Sequence, residues 1–432
     1  MDTLDLLKEK ILKSAIEGKL VPQIEEESEA PQIGKIPEEV PFEIPKKWKW
    51  IYLGRVGSWK SGLTPSRSNP MYYENGNVNW LKTGDLNDGA ITKTSEKITT
   101  AAVSEGRLRI NPIGSVLMAM YGATIGKLGI LAVPSTTNQA CCACIPENFV
   151  NNKYLFYFLL ARRQQFISMG AGGAQPNISR NKIVNSSFPL PPLEEQKRIV
   201  ERLDTLFSEI DAIQKSIDEV SRLSESFEKQ LLQSAISGKL VPQLDEESEA
   251  KQIGQAPEET PFDIPKKWKW VALGNLIKKS YGGGTPSRSN PNFWNGDIPW
   301  ASVKDLSGNF LCSTKESITS DGAENSATNI VPVNNVIVCS RMALGKIVVN
   351  KIEVAINQDL KVLELDEELV TKEFFITFYK TINFAEISSG TTVKGIDFKK
   401  FKNLPFPLPP LNEQKRIVEK LDKLMLEIQK LK

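Results

Sequence analysis

The chain contains no histidine among its 432 residues, and this absence excludes several classes of catalyst. A Ser-His-Asp triad, a Cys-His pair, a histidine-ligated zinc and a histidine general base are all impossible. Cysteine is also scarce: there are five, and their spacing fits neither a disulfide framework nor a zinc site. We interpret the cysteine cluster at 141–144 as buried thiols in an apolar strand.

Long apolar runs are missing as well. A run such as 154–160 is far shorter than the ~20 residues that a helix needs to cross a bilayer. The first residues, Met1-Asp2-Thr3-Leu4-Asp5, are acidic, whereas a signal peptide begins with basic residues. We therefore expect a soluble, reduced, cytoplasmic protein.

What the sequence does contain is a long internal repeat with an offset of about 220 residues. The segment 20–50 is identical to 240–270 at 24 of 31 positions. Shorter matches continue this correspondence, including Thr-Pro-Ser-Arg-Ser-Asn-Pro at 64–70 and 285–291, and Phe-Pro-Leu-Pro-Pro-Leu at 188–193 and 406–411. A period this long indicates two duplicated domains and not a solenoid.

The segment after the first Pro-rich turn has the pattern of one long helix. Two series of residues repeat every seven positions: Ile199, Leu206, Ile213, Val220, Phe227, and Leu203, Ile210, Ile217, Ser224, Leu231. Two mostly apolar positions per heptad predict a coiled coil. The C-terminal copy breaks off early, and residues 5–19 align with 225–239, so we expect both termini to form the second helical rod.

The predicted fold class is α+β: two tandem α/β domains joined by two long antiparallel coiled-coil helices in a circular arrangement with a pseudo-two-fold axis. Each globular region is expected to hold a largely antiparallel or barrel-like sheet, with one helix near 153–166 or 372–385. The repeat predicts seven segments. Residues 1–19 and 411–432 are the N-terminal and C-terminal parts of the split helix, and residues 193–239 are the central helix. Residues 20–49 and 240–269 are acidic, Pro-rich connectors, and residues 50–192 and 270–410 are globular regions 1 and 2.

Charge is distributed unevenly, although the whole chain has a net charge of only +2. Residues 46–192 have a net charge of +11, residues 266–410 have +4, and the remainder has −13. Two basic globular regions on an acidic stem are typical of a protein that contacts nucleic-acid phosphates at two places. Ordinary solvated surface remains an alternative for the second region taken alone.

Four motifs occur in both copies: the Gly-x-Thr-Pro-Ser turns, Trp80 and Trp300 ahead of Asp-Leu, Asn-Gln before an apolar strand, and the Pro-Leu-Pro-Pro-Leu-x-Glu-Gln-Lys-Arg-Ile-Val entry into a long helix. Together they closely resemble the specificity subunit of type I restriction-modification systems. The resemblance covers nearly the whole chain.

The resemblance implies that each globular region is a target-recognition domain that reads one half of a bipartite double-stranded DNA sequence, with the helices as a ruler between the halves. Two methyltransferase subunits would dock on the helices, and motor-nuclease subunits would join them. S-adenosylmethionine, ATP and Mg²⁺ would be bound by those partners. One departure from the family pattern is that the second region is only mildly basic, which puts in question how much it contributes to affinity for the DNA backbone.

The residues themselves support a chain without a catalytic site or cofactor of its own. No [DN]-P-P-[FYW] tetrapeptide of the kind used by amino-methyltransferases is present, and no Gly-rich strand–loop suggests S-adenosylmethionine binding. The segment 122–128 has three residues between its glycines and ends in Leu, so it fails as a P-loop. The alternatives are a coiled-coil DNA-binding scaffold of a methylation-only system, or a scaffold that binds something other than duplex DNA.

Comparison of the two copies sorts the candidate DNA contacts. Groups shared by both copies are candidates for phosphate contact or positioning, and they are Ser66, Arg67, Lys127, Ser287, Arg288 and Lys346. Groups that differ at matching places are candidates for reading bases, and they are Lys82, Thr83, Tyr121, Gln175, Asn177, Arg180, Lys304, Arg341 and Lys394. In aligning the copies we pair Tyr121-Gly122 with Ser340-Arg341. Trp80 and Trp300 are predicted to anchor cores.

Overall fold

The computed structural model describes residues 3–170, 177–390 and 393–431. The chain divides into two compact units, Met1–Ser216 and Ile217–Lys432. Within them we call residues 50–192 head 1 and residues 270–410 head 2. In the described part of the chain, no helix is both long and apolar enough to cross a membrane.

Unit 1 begins with helix α1 (Thr3–Ile16), and head 1 then folds mainly as short strands. Its strands are β1 (Lys49–Tyr52), β2 (Gly57–Ser61), β3 (Val78–Leu81), β4 (Gly89–Ile91), β5 (Glu96–Ile98), β6 (Val116–Ala119), β7 (Leu128–Leu131), β8 (Thr136–Thr137), β9 (Cys141–Pro146) and β10 (Ser187–Leu190). Its helices are α2 (Thr100–Glu105), α3 (Asn152–Ala161), α4 (Arg163–Met169) and α5 (Arg180–Val184).

The strands of head 1 form a five-stranded sheet, β2-β9-β6-β7-β4, a three-stranded sheet, β5-β3-β8, and the pair β1-β10. Most pairings are antiparallel, and the exceptions among the described strands are β3 with β8 and β4 with β7. Strand β9 is buried on both faces: Cys142 and Cys144 pack in the main core, and Cys141 packs in a second cluster with Leu117 and Leu131. The cysteines are thus buried thiols, as the sequence predicts, and burial raises their pKa values.

Helix α6 (Leu193–Ile236) runs from unit 1 into unit 2. It begins directly after the Pro-rich turn, and the following Gly238 has a φ of +72°, the left-handed conformation common after a helix end. Leu203, Ile210 and Leu231 of one heptad series are buried. In the other series Ile213 and Phe227 are each 49% exposed, so the second apolar stripe is only half covered.

Unit 2 repeats this plan. Its strands are β11 (Lys269–Ala272), β12 (Ile277–Gly282), β13 (Trp294–Ala301), β14 (Phe310–Leu311), β15 (Glu316–Ile318), β16 (Asn329–Val331), β17 (Val336–Cys339), β18 (Ile347–Asn350), β19 (Val354–Ile356), β20 (Leu360–Leu365), β21 (Ser388–Ser389), β22 (Gly395–Ile396) and β23 (Pro405–Leu408). Its helices are α7 (Ser320–Glu324), α8 (Lys372–Tyr379), α9 (Phe398–Lys402) and α10 (Leu411–Gln429).

The sheets of head 2 are β12-β20-β17-β18-β14, β15-β13-β19-β16, β11-β23 and β21-β22. The helix expected near 153–166 is interrupted at Arg162, and the one expected near 372–385 ends at Tyr379. Short helices α2, α5, α7 and α9 were not predicted, because five or six residues are too few to show a helical period.

The acidic connector of unit 1 is folded against the start of α6. The Lys47 ammonium donates to the carbonyls of Ile24, Glu25 and Glu27 at 2.8, 2.5 and 2.6 Å. The Arg198 guanidinium, on α6, binds both oxygens of Glu27 at 3.1 and 2.7 Å and the carbonyl of Pro22 at 2.9 Å. These bonds hold the connector in one conformation beside the helix, which a flexible linker would not have.

Unit 2 repeats these contacts with the matching residues. Lys267 donates to three connector carbonyls at 2.7–2.9 Å. Arg416 of α10 binds Glu247 at 3.1 and 2.7 Å and the carbonyl of Pro242 at 3.0 Å. The closely similar sequences at 20–50 and 240–270 therefore encode one connector structure that is used twice.

A buried glutamine joins each head to its helix. Gln196 of α6 accepts a hydrogen bond from the backbone N–H of Asn151 at 2.8 Å and donates to the carbonyls of Phe149 and Pro191 at 3.0 and 2.9 Å. Gln414 makes the same three bonds in unit 2, at 2.8, 2.9 and 2.9 Å. Because the side-chain amide bonds to the N-cap residue of α3 or α8, it fixes the head against the helix start.

Candidate nucleic-acid interface

The repeated Gly-x-Thr-Pro-Ser-Arg turn lies tightly against the small sheet of each head. A Cβ on Gly62 would lie 1.8 Å from the carbonyl oxygen of Thr137, and one on Gly283 would lie 1.9 Å from that of Ile356, so only glycine fits. The buried Trp80 indole donates to the carbonyl of Leu63 at 3.2 Å. Trp80 therefore anchors the turn from inside the head, which confirms its prediction as a core residue.

Arg67, a candidate phosphate contact, is held within head 1. Its guanidinium forms a bidentate ion pair with Glu96, one bond of which is 3.0 Å long. It also lies 4.4 Å from the ring centre of Tyr73 and 5.1 Å from that of Trp80. This geometry favours a role in fixing the turn, and contact of Arg67 with phosphate stays a prediction.

Head 2 builds the same cluster with one exchange of aromatic residue. Arg288 pairs with Glu316, with one bond of 2.9 Å, and lies 3.7 Å from the ring centre of Trp294 and 5.3 Å from that of Trp300. The hydroxyls of Ser66 and Ser287, the neighbouring candidates, each lie 2.8 Å from a second serine hydroxyl of their own turn. The shared groups therefore stabilise the turn, as their conservation between the copies allows.

Because of the Arg67–Glu96 ion pair, we expect part of the free energy of unfolding to be lost in acid. Its hydrogen bond, supported by Lys82, lowers the pKa of Glu96 to about 2, below the ~4.3 of an unfolded chain. The pair therefore stabilises the fold above that value, and the contribution is lost as pH falls from about 4.3 to about 2. We expect Glu96→Gln to unfold at a temperature that depends less on pH across this window than the wild type does.

The matched control for Glu96→Gln is Glu74→Gln, which removes the same charge from an exposed side chain of head 1. Melting curves recorded by circular dichroism between pH 5 and pH 2 compare the two variants. If both variants followed parallel curves, the ion pair would carry none of the acid dependence.

Three further candidates, Lys82, Thr83 and Lys304, lie in the loop that follows the buried tryptophan of each head. The Lys82 ammonium donates to Glu96 at 3.0 Å, and Thr83 is half-buried beside it. Lys304 of head 2, which stands two residues later in the corresponding loop, is exposed and helps to lower the pKa of Glu316. Lys82 is thus a base-reading candidate whose ammonium is bound to a carboxylate of its own head.

Lys127 and Lys346 follow a glycine in the turn after the central strand of each head. Both are exposed, and the Lys346 ammonium donates to the carbonyl of Val303 at 3.2 Å. This bond connects the turn to the loop that holds Lys304. The structure therefore brings these two candidates of head 2 into one region.

A second group of candidates lies where the end of β6 meets the loop before α5. Tyr121 is exposed and forms a β-bridge with Asn177, which is also exposed. The Arg180 guanidinium, at the start of α5, donates to the carbonyl of Trp59 at 3.4 Å. Gln175 lies outside the described residues.

Head 2 has the corresponding group at the end of β17. Arg341 forms a β-bridge with Gly395, and both Arg341 and Lys394 are exposed. Hydrogen bonds identify the true equivalents: the N–H of Ile178 donates to the carbonyl of Met120, and the N–H of Ile396 donates to that of Ser340, both at 2.9 Å.

Tyr121 therefore matches Arg341, and the pairing of Tyr121 with Ser340 in the sequence alignment is wrong. Strands β6 and β17 must each keep the register of their hydrogen-bonded ladder. The one-residue difference in length between the two copies therefore falls in the turn that follows these strands.

The family model of the type I restriction modification DNA specificity domain matches the chain twice, at residues 45–222 and 265–432. The chain belongs to this family. It is 36% identical over 176 residues to the specificity subunit of the type I restriction enzyme EcoR124I/EcoR124II of Escherichia coli, in a match that covers 40% of this chain and 43% of that protein. It is 28% identical over 268 residues to the MjaIX specificity subunit of Methanocaldococcus jannaschii, with 61% and 59% covered.

These two matches thus span about half the length of the relatives. A third relative, the EcoAI specificity subunit of Escherichia coli, is 23% identical in an alignment that covers 99% of this chain and 90% of that protein.

Two solved structures share the fold of this type I specificity family member. One is a chain from work on complex assembly and conformational transition of a type I R-M system, with a TM-score of 0.64, 22% identity, and 90% of this chain and 93% of that chain covered. The other is the HsdS subunit from Thermoanaerobacter tengcongensis, with a TM-score of 0.58, 21% identity, and 91% and 93% covered. At these identities the likeness shows the fold alone.

Comparison of the two copies missed several lysines that lie near the base-reading candidate Lys394 in head 2. Helix α9 carries Lys399, Lys400 and Lys402 next to the loop of Lys394. The Phe-Lys-Lys-Phe-Lys run at 398–402 is the signal that could have revealed them, since a basic stripe on a short helix is typical of phosphate contact. No cluster of potential metal ligands occurs among the residues that the structure describes.

Proposed function

We propose that this chain is the DNA-binding specificity subunit of a type I restriction-modification enzyme, in which head 1 and head 2 each recognise one half of a bipartite target. The observation that carries the proposal is the duplication: each of the two family matches contains one head, and the two heads repeat the same turn, connector and glutamine joint. The net positive charge of both heads suits contact with the DNA backbone.

The helices are proposed to form the predicted antiparallel coiled coil, with the domain limits given by the repeat. In unit 1, Lys8 of α1 pairs with Asp211 of α6 at 2.7 Å, while Gln23 bonds to Glu195 near the start of α6. The two segments therefore run in opposite directions. The matching contact in unit 2, from Gln243 to Glu413 of α10 at 3.4 Å, is consistent with the same arrangement, and this repetition supports the proposed circular, pseudo-two-fold layout.

The partners of the proposed complex are two methyltransferase subunits on the helices and motor-nuclease subunits added to them. The half-exposed apolar side chains of α6, such as Ile213 and Phe227, offer a surface for such a partner. In this proposal the chain itself is non-catalytic, and S-adenosylmethionine, ATP and Mg²⁺ bind to the partner subunits.

Methylome sequencing of the host with the gene present and deleted tests this function. We expect the intact strain to carry adenine methylation at a target of two short defined sequences separated by unspecified bases. Deletion should abolish this methylation, and the reintroduced wild-type gene should restore it. Methylation that persists in the deletion strain, or a restored target without a gap, would contradict the proposal.

A further inference from the structure

Head 2 contains an open cleft of 630 Å³ beside the end of β17. Arg341, Gln358, Asp359, Lys361 and Phe398 are among the residues that line it. Among the described residues, Arg341 has no carboxylate partner, and the Asp359 carboxylate accepts a single long hydrogen bond of 3.4 Å, from Asn357. The cleft therefore presents one acceptor and one donor group that are free to bond to a ligand.

Asp359 has no charged equivalent in head 1. The N–H of Ser340 donates to the carbonyl of Asp359 at 2.8 Å, and the N–H of Met120 donates to that of Ala140 at 2.8 Å. Since Ser340 matches Met120, Asp359 matches Ala140. The two heads therefore differ at adjacent positions of this region: Arg341 and Asp359 stand where head 1 has an aromatic residue and a methyl group.

Both heads, in contrast, have a basic side chain near equivalent strands, β20 in head 2 and β9 in head 1. Different elements supply that side chain in the two heads. In head 2 the Lys361 ammonium, on β20, lies 3.9 Å from the ring centre of Phe398, the first residue of α9. In head 1 the corresponding helix α5 begins with Arg180, whose guanidinium donates to the carbonyl of Trp59 on β2, the strand that pairs with β9. A charge kept in place by two different residues indicates a common role such as phosphate contact.

The rim of the cleft between Val393 and Phe398 lies in a segment that is rich in lysine. Lys394 precedes β22, and the lysines at 399, 400 and 402 of α9 follow it. The Asp397 carboxylate in this rim is occupied, because it caps α9 by accepting from the N–H groups of Lys399 and Lys400. The rim thus favours phosphates, while the cleft holds the unpaired Asp359 and Arg341.

We infer that Asp359 and Arg341 read one G·C base pair of the half-site bound by head 2, with the surrounding lysines on the phosphates. A carboxylate accepts a hydrogen bond from the cytosine N4 amino group, and a guanidinium donates to guanine O6 and N7. The cytosine amino group and the guanine O6 and N7 atoms all lie on the major-groove edge of one G·C pair. A cleft that holds one acceptor and one donor therefore matches that edge. The inference rests on the proposed function and names the residues that give head 2 its specificity.

The test is methylome sequencing of the deletion strain that carries wild type, Asp359→Ala, Asp359→Asn, Arg341→Ala or the control Glu353→Gln. Glu353 is exposed outside the cleft. We expect both Ala variants to lose preference at the same G·C pair of one half-site, roughly 5- to 150-fold, with the other half-site unchanged. Asp359→Asn keeps the side-chain size and tests the charge, and it should lose preference at that pair too.

Binding of purified variants to duplexes with single base-pair changes gives a second measurement if methylation is lost. A variant that melts like the wild type and binds G·C and A·T versions equally well supports the inference. Unchanged discrimination at every position, or relaxed discrimination at different pairs in the two Ala variants, would overturn it while the wild-type bipartite target still upheld the proposed function. A wild type without a bipartite target would overturn both.

Discussion

Gln196→Leu is expected to destabilise unit 1 by about 3 kcal/mol, because it removes three hydrogen bonds from a fully buried site. Leucine has nearly the same volume, so the loss comes from polar groups and not from a cavity. The backbone N–H of Asn151 and the carbonyl of Phe149 lose these partners, and each unsatisfied buried group costs roughly 1–3 kcal/mol. Urea denaturation followed by circular dichroism measures the change.

Lys197→Ala is the matched control for Gln196→Leu, since Lys197 is the next residue of α6 and its ammonium bonds to the exposed Glu194. It should change stability by less than about 0.5 kcal/mol. Gln414→Leu should reproduce the large loss in unit 2, because Gln414 makes the same three bonds. Equal effects of Gln196→Leu and Lys197→Ala would show that the joint does not fix the head to the helix.

The internal repeat made much of this fold predictable. A 220-residue offset aligns the end of α1 at Ile16 with the end of α6 at Ile236, and each helix ends three residues before the predicted segment limit, at 19 or 239. The heptads also identified Leu203 and Ile210 as buried. They could not show that Ile213 and Phe227 are half-exposed, because an apolar period reports which face a helix prefers to bury and not whether a partner covers it.

The conformation of the connectors and the cleft of head 2 could not be predicted from the repeat or the heptads. The runs of glutamate near Glu27 and Glu247 read as linkers, but Lys47 and Lys267 fold them by binding carbonyls, and such bonds depend on backbone conformation, which composition does not specify. The base-reading candidates were found because their loops differ between the copies, and the phosphate candidates because both copies share them. Asp359 directly follows the repeated Asn-Gln pair, which aligns it with Ala140, but nothing in that alignment shows that it lines a cleft together with Arg341.

Four extra residues in the exposed middle of α6 are expected to widen the gap between the two half-sites by one or two base pairs. The insertion lengthens a helix by about 6 Å, and DNA rises about 3.4 Å per base pair. Four residues complete slightly more than one helical turn, so the buried stripe that includes Leu203 and Leu231 stays nearly in line. The original target should then lose its methylation, while the same half-sites at the wider spacing gain it.

Methylome sequencing reads both spacings in one experiment. The matched control replaces four exposed residues of the same region with alanine, which keeps the helical length and should leave the target unchanged. If the variant with the insertion still methylated the original spacing, α6 would not set the distance between the half-sites. If it methylated the original half-sites only at the wider spacing, the two heads would keep their specificities while the helix alone set the gap, as expected for recognition and measurement carried by separate parts of one chain.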